Sequence, residues 1–299
     1  MRKKKTNIIY LLFFSLFPLL LMGGGLFFCC RSPGFSIDKI TSRSAHNEIC
    51  EVESLSEEQR ELLTEKVFPQ KYYYLASGHQ CYAFISEDRE YILKFFKMQH
   101  LFPKRWLNSF PLFLKSGRKS NQLCSERIFA SYEDAYELLR EETALLYIHL
   151  KKTNHLRSNV TLIDNKSKKY FLNLDAVEFI VQRRALKIYD HLDQLVKEEN
   201  YEDLKACIQS FLQYIAIRCK KGFIDQNLSI RNNFGFIGNK AVQFDCATLT
   251  QDISMKYPLN FRNEVLRVAE RLDEWAQNKY PEATLFIQDE AQRIINHSF

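Results

Sequence analysis

Residues Gly222–Asp245 read GFIDQNLSIRNNFGFIGNKAVQFD. The glycine follows Lys220-Lys221, a basic pair of the kind that ends a helix. A polar loop comes next, carrying the carboxylate of Asp225 and the amides of Asn227 and Asn233. Phe234–Ile237 and Ala241–Phe244 then read as two strands around a Gly238-Asn239 turn, and Asp245 closes the second strand. A helix stop, a polar loop and a hairpin thus bring two carboxylates and two amides to one place in the fold.

Upstream, Tyr201–Lys220 is expected to be a long helix, with Leu204, Ile208, Phe211, Leu212, Ile215 and Ala216 on one face. Leu186–Val196 reads as a shorter one. Downstream, helices are expected from Asn263 to about Gln277 and near Asp289–Ile295. This second half of the chain is therefore mainly helical.

The first half reads differently. Lys71–Ala76, Tyr82–Glu87 and Tyr91–Phe96 are short runs rich in Tyr, Ile and Phe, joined by Ser77-Gly78 and by Glu87-Asp88-Arg89. Such short connections predict an antiparallel meander. Lys94 sits on the third strand among apolar neighbours, and Lys97 beyond it is expected to face water. Tyr132–Leu150 is expected to be a helix, capped by Ser131, with Ala135, Leu138, Leu139, Ala144, Leu145 and Ile148 near a 3.6-residue period. Glu142 lies on it as a candidate partner for Lys94, while Glu141 is read as solvated. Asn159–Asp164 and Lys169–Asp175 form an expected hairpin, followed by a strand over Val177–Gln182 and a hinge at Arg183-Arg184.

Taken in order, Gly78, Lys94, Glu142, Asn233 and Asp245 resemble the site of the protein-kinase-like superfamily over about Tyr72 to Thr250. The compact second half is closer to its aminoglycoside-phosphotransferase and lipopolysaccharide-core kinase branches, and to poorly characterised kinase-like proteins of intracellular bacteria. The resemblance implies an α+β fold of two lobes: an antiparallel-sheet lobe over 71–184, with an insertion at about 98–127, and a mainly helical lobe over 185–299. It implies ATP and Mg²⁺ as cofactors. Gly78 would cover the phosphates, Lys94 would pair with them and Glu142 would orient Lys94, while Asn233 and Asp245 would hold the metal. The base position falls on Asn227, an amide, and Asp225, two residues earlier where the family usually has a histidine, is the second catalytic candidate, able to act as base if the loop swings it inward. The loop to Asn233 is one residue longer than usual. The resemblance allows two functions: a weak Mg-ATP-dependent phosphotransferase acting on a protein, sugar or lipid, or a pseudokinase serving as a binding scaffold.

The N-terminus adds a membrane. Arg2-Lys3-Lys4-Lys5 precedes an apolar run from Ile8 to Cys30, long enough at 1.5 Å per residue for a ~30 Å hydrocarbon core. Residues 1–31 are expected to form a single-pass anchor in the lipid bilayer in preference to a cleaved signal segment, and 32–70 a linker with a helix over Glu51–Lys66. The charge bias would leave the lysines in the cytoplasm and the remainder outside, away from cytoplasmic nucleotide. Cys29-Cys30 is read either as a lipidation site or as two apolar helix-end residues, the second preferred. The insertion interleaves Lys104, Arg105, Trp106, Phe110, Phe113 and Lys115, and is read equally as a surface for membrane or partner and as a packed loop.

Composition narrows the rest. With 46% hydrophobic and 26% charged residues over 299 positions, the chain can bury a sizeable core. A net charge of +6 without a nucleic-acid-binding signature argues against a nucleic-acid partner. Eight scattered cysteines lack zinc spacing and fit a reducing compartment.

Overall fold

The computed structural model describes residues 34–41, 55–98 and 115–298, with side chains of the last stretch from residue 126 onward. The expected anchor at Ile8–Cys30 lies outside the described residues, as does the first half of the insertion. Among the described residues no helix is long and apolar enough to cross a membrane. The chain divides into Met1–Ser36, of which only Gly34–Ser36 are described, and a unit spanning Ile37–Phe299.

That unit is a mixed α+β fold with one large sheet and a set of helices. After a short α1 (Ile37–Ile40), α2 (Glu57–Glu61) opens on a capping box. Ser56 Oγ accepts from the Gln59 amide, and the Gln59 side chain accepts from the Ser56 amide. Three strands follow, β1 (Lys71–Ser77), β2 (Cys81–Ser86) and β3 (Tyr91–Phe96), paired antiparallel as the short connections require.

The meander is only the middle of a seven-stranded sheet ordered β4-β7-β3-β2-β1-β5-β6. On one side β7 (Phe179–Arg183) pairs with β3, and β4 (Leu145–His149) pairs with β7. On the other, β5 (Asn159–Ile163) runs parallel to β1 and carries β6 (Lys169–Asn173) at the edge. Tyr72, Phe84, Phe95 and Phe179 are fully buried on the inner face, with ring centroids of Phe84 and Phe95 5.9 Å apart and of Phe95 and Phe179 6.0 Å apart.

The helix expected over Tyr132–Leu150 is displaced. Helix α3 runs from Lys115 to Leu138, starting inside the expected insertion, and a short α4 (Arg140–Thr143) follows. Leu139 leaves the helical region and Ala144 is left-handed at φ 55°, so the chain turns and Leu145–His149 joins the sheet as β4. Ser131 is therefore inside a helix, its hydroxyl donating to the Arg127 carbonyl at 2.9 Å, and is not a cap. Lys97 is also misread: it is buried, its Nζ donating to the Gly78 carbonyl and lying 4.7 Å from the Tyr82 ring centroid.

The second half is helical as expected. Its helices are α5 (Ile188–Lys197), α6 (Tyr201–Lys220), α7 (Ile230–Asn233), α8 (Pro258–Lys279) and α9 (Ala283–Asn296). Leu186-Lys187 is strand β8 instead of helix, paired with β10 (Phe234–Ile237), which in turn pairs with β11 (Lys240–Gln243). Leu204, Ile208, Phe211, Phe234, Phe261 and Leu272 form the centre of its core. A buried Arg218–Glu264 ion pair, joined by Arg267 at 2.7 Å, ties α6 to α8.

Two glycines are required by geometry. Gly222, at φ 80°, ends α6 in the left-handed region that an L side chain enters at a cost of about 1–2 kcal/mol. At Gly235 a Cβ would stand 2.2 Å from the Leu186 carbonyl oxygen, because β8 crosses β10 there.

Candidate functional site

The site is built where α6 ends. β9 (Phe223–Asp225) pairs with β12 (Leu249–Gln251), which aligns Asp225 with Leu249 and turns the Asp225 side chain inward. The carboxylate is buried and saturated. Its Oδ1 accepts from the Thr248 hydroxyl at 2.6 Å and the Asn227 amide at 3.0 Å, and its Oδ2 from Gln243 Nε2 at 2.9 Å and Asn233 Nδ2 at 3.4 Å. Gln243 is oriented in turn by the Tyr214 hydroxyl at 2.7 Å and donates also to the Asp245 carbonyl at 3.0 Å. Asp225 is thus the hub that joins loop, hairpin and α6. Asn227 is exposed on the loop above it.

Asn233 and Asp245 are joined through the backbone. The Asn233 carbonyl accepts from the amides of Phe244 at 2.8 Å and Asp245 at 3.3 Å, so the two ends of the β10–β11 hairpin are locked together. The Asn233 side chain spends its nitrogen on Asp225 and on the Asn227 carbonyl at 3.3 Å, which leaves its amide oxygen. Asp245 accepts from the Ala247 amide at 3.3 Å through Oδ1, which leaves Oδ2. One carboxylate oxygen and one amide oxygen are hard donors, suited to Mg²⁺ when phosphate oxygens and water complete the shell. Among the described residues no group of three His, Cys, Asp or Glu side chains is placed to hold a metal without such help.

The sheet meets this hairpin at Lys94. On β3, between Ala83 of β2 and Ile180 of β7, Lys94 reaches 150 positions along the chain to donate to the Phe244 carbonyl. Its Nζ also lies 5.4 Å from the Phe244 ring centroid. Around it stand groups that sequence reasoning passed over. Tyr132 of α3, fully buried, has its hydroxyl at the Cys246 amide, and burial followed by the Asp245 charge pushes its pKa up. The Cys81 thiol is pushed up to about 12, by burial first and then by Asp245, against the opposing charges of Lys94 and Lys97. Burial, opposed by Lys94, also raises the Cys246 thiol, so both cysteines are protonated neutral groups at the site. A tyrosine on an apolar helix face looks like core in a sequence, and no motif marks it.

Glu142 is not brought to Lys94. Because the helix stops at Leu138, Glu142 falls on α4 and accepts from Lys221 Nζ at 2.7 Å, while Lys221 also caps the Leu138 carbonyl at 2.9 Å. Glu141 pairs with Lys240 at 3.3 Å on the surface. The buried face of α3 offers Ile128, Phe129, Tyr132 and Ala135. Gly78 begins a tight turn in which its amide donates to the Cys81 carbonyl at 2.9 Å. A Cβ there would meet nothing closer than 3.8 Å, so the turn does not demand glycine.

No protein-family model matches the sequence. No curated protein matches it either. Among solved structures, the co-crystal structure of WbdD with the kinase inhibitor LY294002 is similar over 75% of this chain, at 12% identity and a TM-score of 0.37. The chain spans 45% of the length of that protein. At so low a TM-score the likeness carries no functional weight; the chemistry is read from the residues themselves.

Proposed function

We propose that the chain is a kinase-like protein that binds Mg-ATP at Lys94, Asn233 and Asp245, and that transfers its phosphoryl group slowly or not at all. The observation that carries this reading is the Lys94–Phe244 hydrogen bond, which sets a strand ammonium one residue from Asp245 although 150 positions separate the bonded residues. A cation from the sheet beside a carboxylate and an amide oxygen from a hairpin is an arrangement suited to polyphosphate and its metal. Mg²⁺, when bound, would supply charge neutralisation on the phosphate oxygens.

The chain's own residues divide the remaining work. Lys94 would hold non-transferred phosphates, and the turn at Gly78 would lie over them. Asn233 is kept in one orientation by Asp225 and the Asn227 carbonyl, so its oxygen need not reorganise when a cation arrives. Neither loop residue is free to take a proton from an acceptor: Asp225 is committed to four donors and Asn227 is an amide. General-base help is worth about 10²–10⁴-fold, so positioning alone leaves a slow transferase or a nucleotide-bound scaffold. The saturation of Asp225 favours the scaffold. The apolar run at Ile8–Cys30 would hold either at a bilayer.

Thermal unfolding with and without millimolar Mg-ATP tests the reading. Stabilisation that needs both metal and nucleotide, and that disappears in Lys94→Met and Asp245→Asn, is expected. No shift in the unsubstituted protein would overturn it. Among binders, a rise in phosphate transfer for Asn227→Asp marks the native loop as lacking its base.

A further inference from the structure

The outer face of the sheet, at the edge away from the site, presents an apolar and basic surface. Phe171 on the edge strand β6 is 82% exposed, with Leu75 at 51% and Tyr73 at 38% on β1. Strand register joins Phe171 and Tyr73, while Leu75 lies at the bulge of β1 just beyond them. Lys71, Thr161 and Phe171 form one row across β1, β5 and β6, and Tyr73, Ile163 and Lys169 form the next. The β5–β6 turn adds exposed Lys166 and Lys168, the second with its Nζ 4.9 Å from the ring of Tyr170, so with Lys169 three lysines cluster at this edge. The two nearby carboxylates Glu87 and Asp164 are already engaged. Glu87 accepts from Lys71 and from the Tyr73 hydroxyl, each at 3.4 Å. Asp164 is folded into the turn, accepting from the Lys166 and Lys168 amides at 2.8 and 2.9 Å and from the Tyr170 hydroxyl at 3.0 Å.

From this face we infer that the β5–β6 edge of the sheet docks on an anionic phospholipid bilayer, with Phe171 entering the interface and Lys166, Lys168 and Lys169 against the headgroups. Exposed aromatics bordered by lysines, with the acids neutralised internally, are complementary to a negatively charged lipid surface. The same chain carries the Ile8–Cys30 apolar run behind a basic start, which would keep such a surface within reach. The inference rests on the anchor proposed above only for that proximity.

The test uses the full-length chain in vesicles of phosphatidylcholine alone or mixed with phosphatidylserine, part of each lipid being brominated. Phe171→Trp adds a reporter, read as the difference from the unsubstituted chain, which has Trp106 and Trp275. Quenching of the added fluorescence is expected in phosphatidylserine vesicles. It should disappear with Lys166→Glu, Lys168→Glu and Lys169→Glu combined, and in about 0.5 M salt. Equal quenching without phosphatidylserine, or none in either lipid, overturns the inference. So does quenching that tracks protein density instead of lipid charge, which would mark a second copy as the occupant. If the chain fails to fractionate as an integral membrane protein, the anchor reading falls. Adding phosphatidylserine vesicles to the same Phe171→Trp chain then tests the face by itself.

Discussion

The two halves of the molecule meet at Lys94 and Phe244, and Asp225 on one side is held in a different way from Lys94 on the other. In the helical half Asp225 is fixed by four donors drawn from a loop, a hairpin and the residues before β12. In the sheet half Lys94 is placed by a backbone carbonyl and a nearby ring, Gly78 by nothing that needs glycine, and His149 keeps one ring nitrogen buried without a partner among the described residues. Redundant hydrogen bonding makes a structure that resists change, whereas a group with one partner can be lost without disturbing its surroundings. The difference separates what this protein needs in order to fold from what it would use to bind.

The largest effect that could break the comparison is at the hub. Asp225→Ala leaves Thr248, Gln243, Asn233 and the Asn227 amide without their acceptor, and is expected to cost about 4 kcal/mol in denaturant unfolding. A loss below about 1 kcal/mol would show that water replaces the carboxylate freely, and the hub would be no hub.

In the sheet half the largest effect should depend on pH. Burial holds the His149 pKa down at about 4, against 6.5 for an exposed imidazole, with Asp175 opposing and His155 and Lys151 adding to the shift. Between those values the unfolded chain binds a proton that the folded chain refuses, so stability falls as pH drops from 6.5 to about 4. The fall attributable to this group is at most about 3 kcal/mol, read as the difference in pH dependence between the protein and His149→Phe. Equal slopes for the two would mean that His149 is solvated in solution.

Two smaller effects sharpen the boundary. Glu142→Gln removes a half-exposed pair with Lys221 and is expected to cost about 1 kcal/mol, less at high salt, while leaving any Mg-ATP stabilisation intact. Loss of the nucleotide effect would return Glu142 to the site. Gly78→Ala should lie within about 0.5 kcal/mol of the parent by thermal unfolding, since the added methyl makes only an ordinary contact with the Cys81 carbonyl oxygen at 3.8 Å. A larger loss would show that the turn, held by the Gly78 amide on Cys81 and by Lys97 on Gly78 and Gln80, tolerates no added methyl.

How much of the molecule was legible in its sequence depends on the range of each signal. The hairpin of the Gly222–Asp245 tract and the three-stranded meander, with the strand that carries Lys94, were readable because turn residues and alternation act locally. The path from Leu138 to His149 was not. Its apolar residues fit a helix and a strand equally, and the decision is made by Ala144 turning left-handed and by β7 offering a free edge. That error carried Glu142 with it, because a residue thought to face β3 from a long helix lies instead on a single turn beside Lys221. The hub at Asp225 was beyond reach for another reason: Gln243 and Thr248 lie 18 and 23 positions away, and no periodicity connects them. Tyr132 and Cys246 were hidden by looking like core.

Gly235 has a consequence for how the halves are joined. From β7 the chain passes into the helical half through Arg183, Arg184 and Ala185, and at Leu186 it crosses β10 so closely that a methyl group on residue 235 would meet backbone. The height of that crossing is set by a missing atom. It lets β8 pair with β10, the strand that follows Asn233, immediately before α5 begins at Ile188. One hydrogen in place of a side chain thus acts as the spacer between the covalent bridge and the strand beside it, and no other residue type could keep that gap closed.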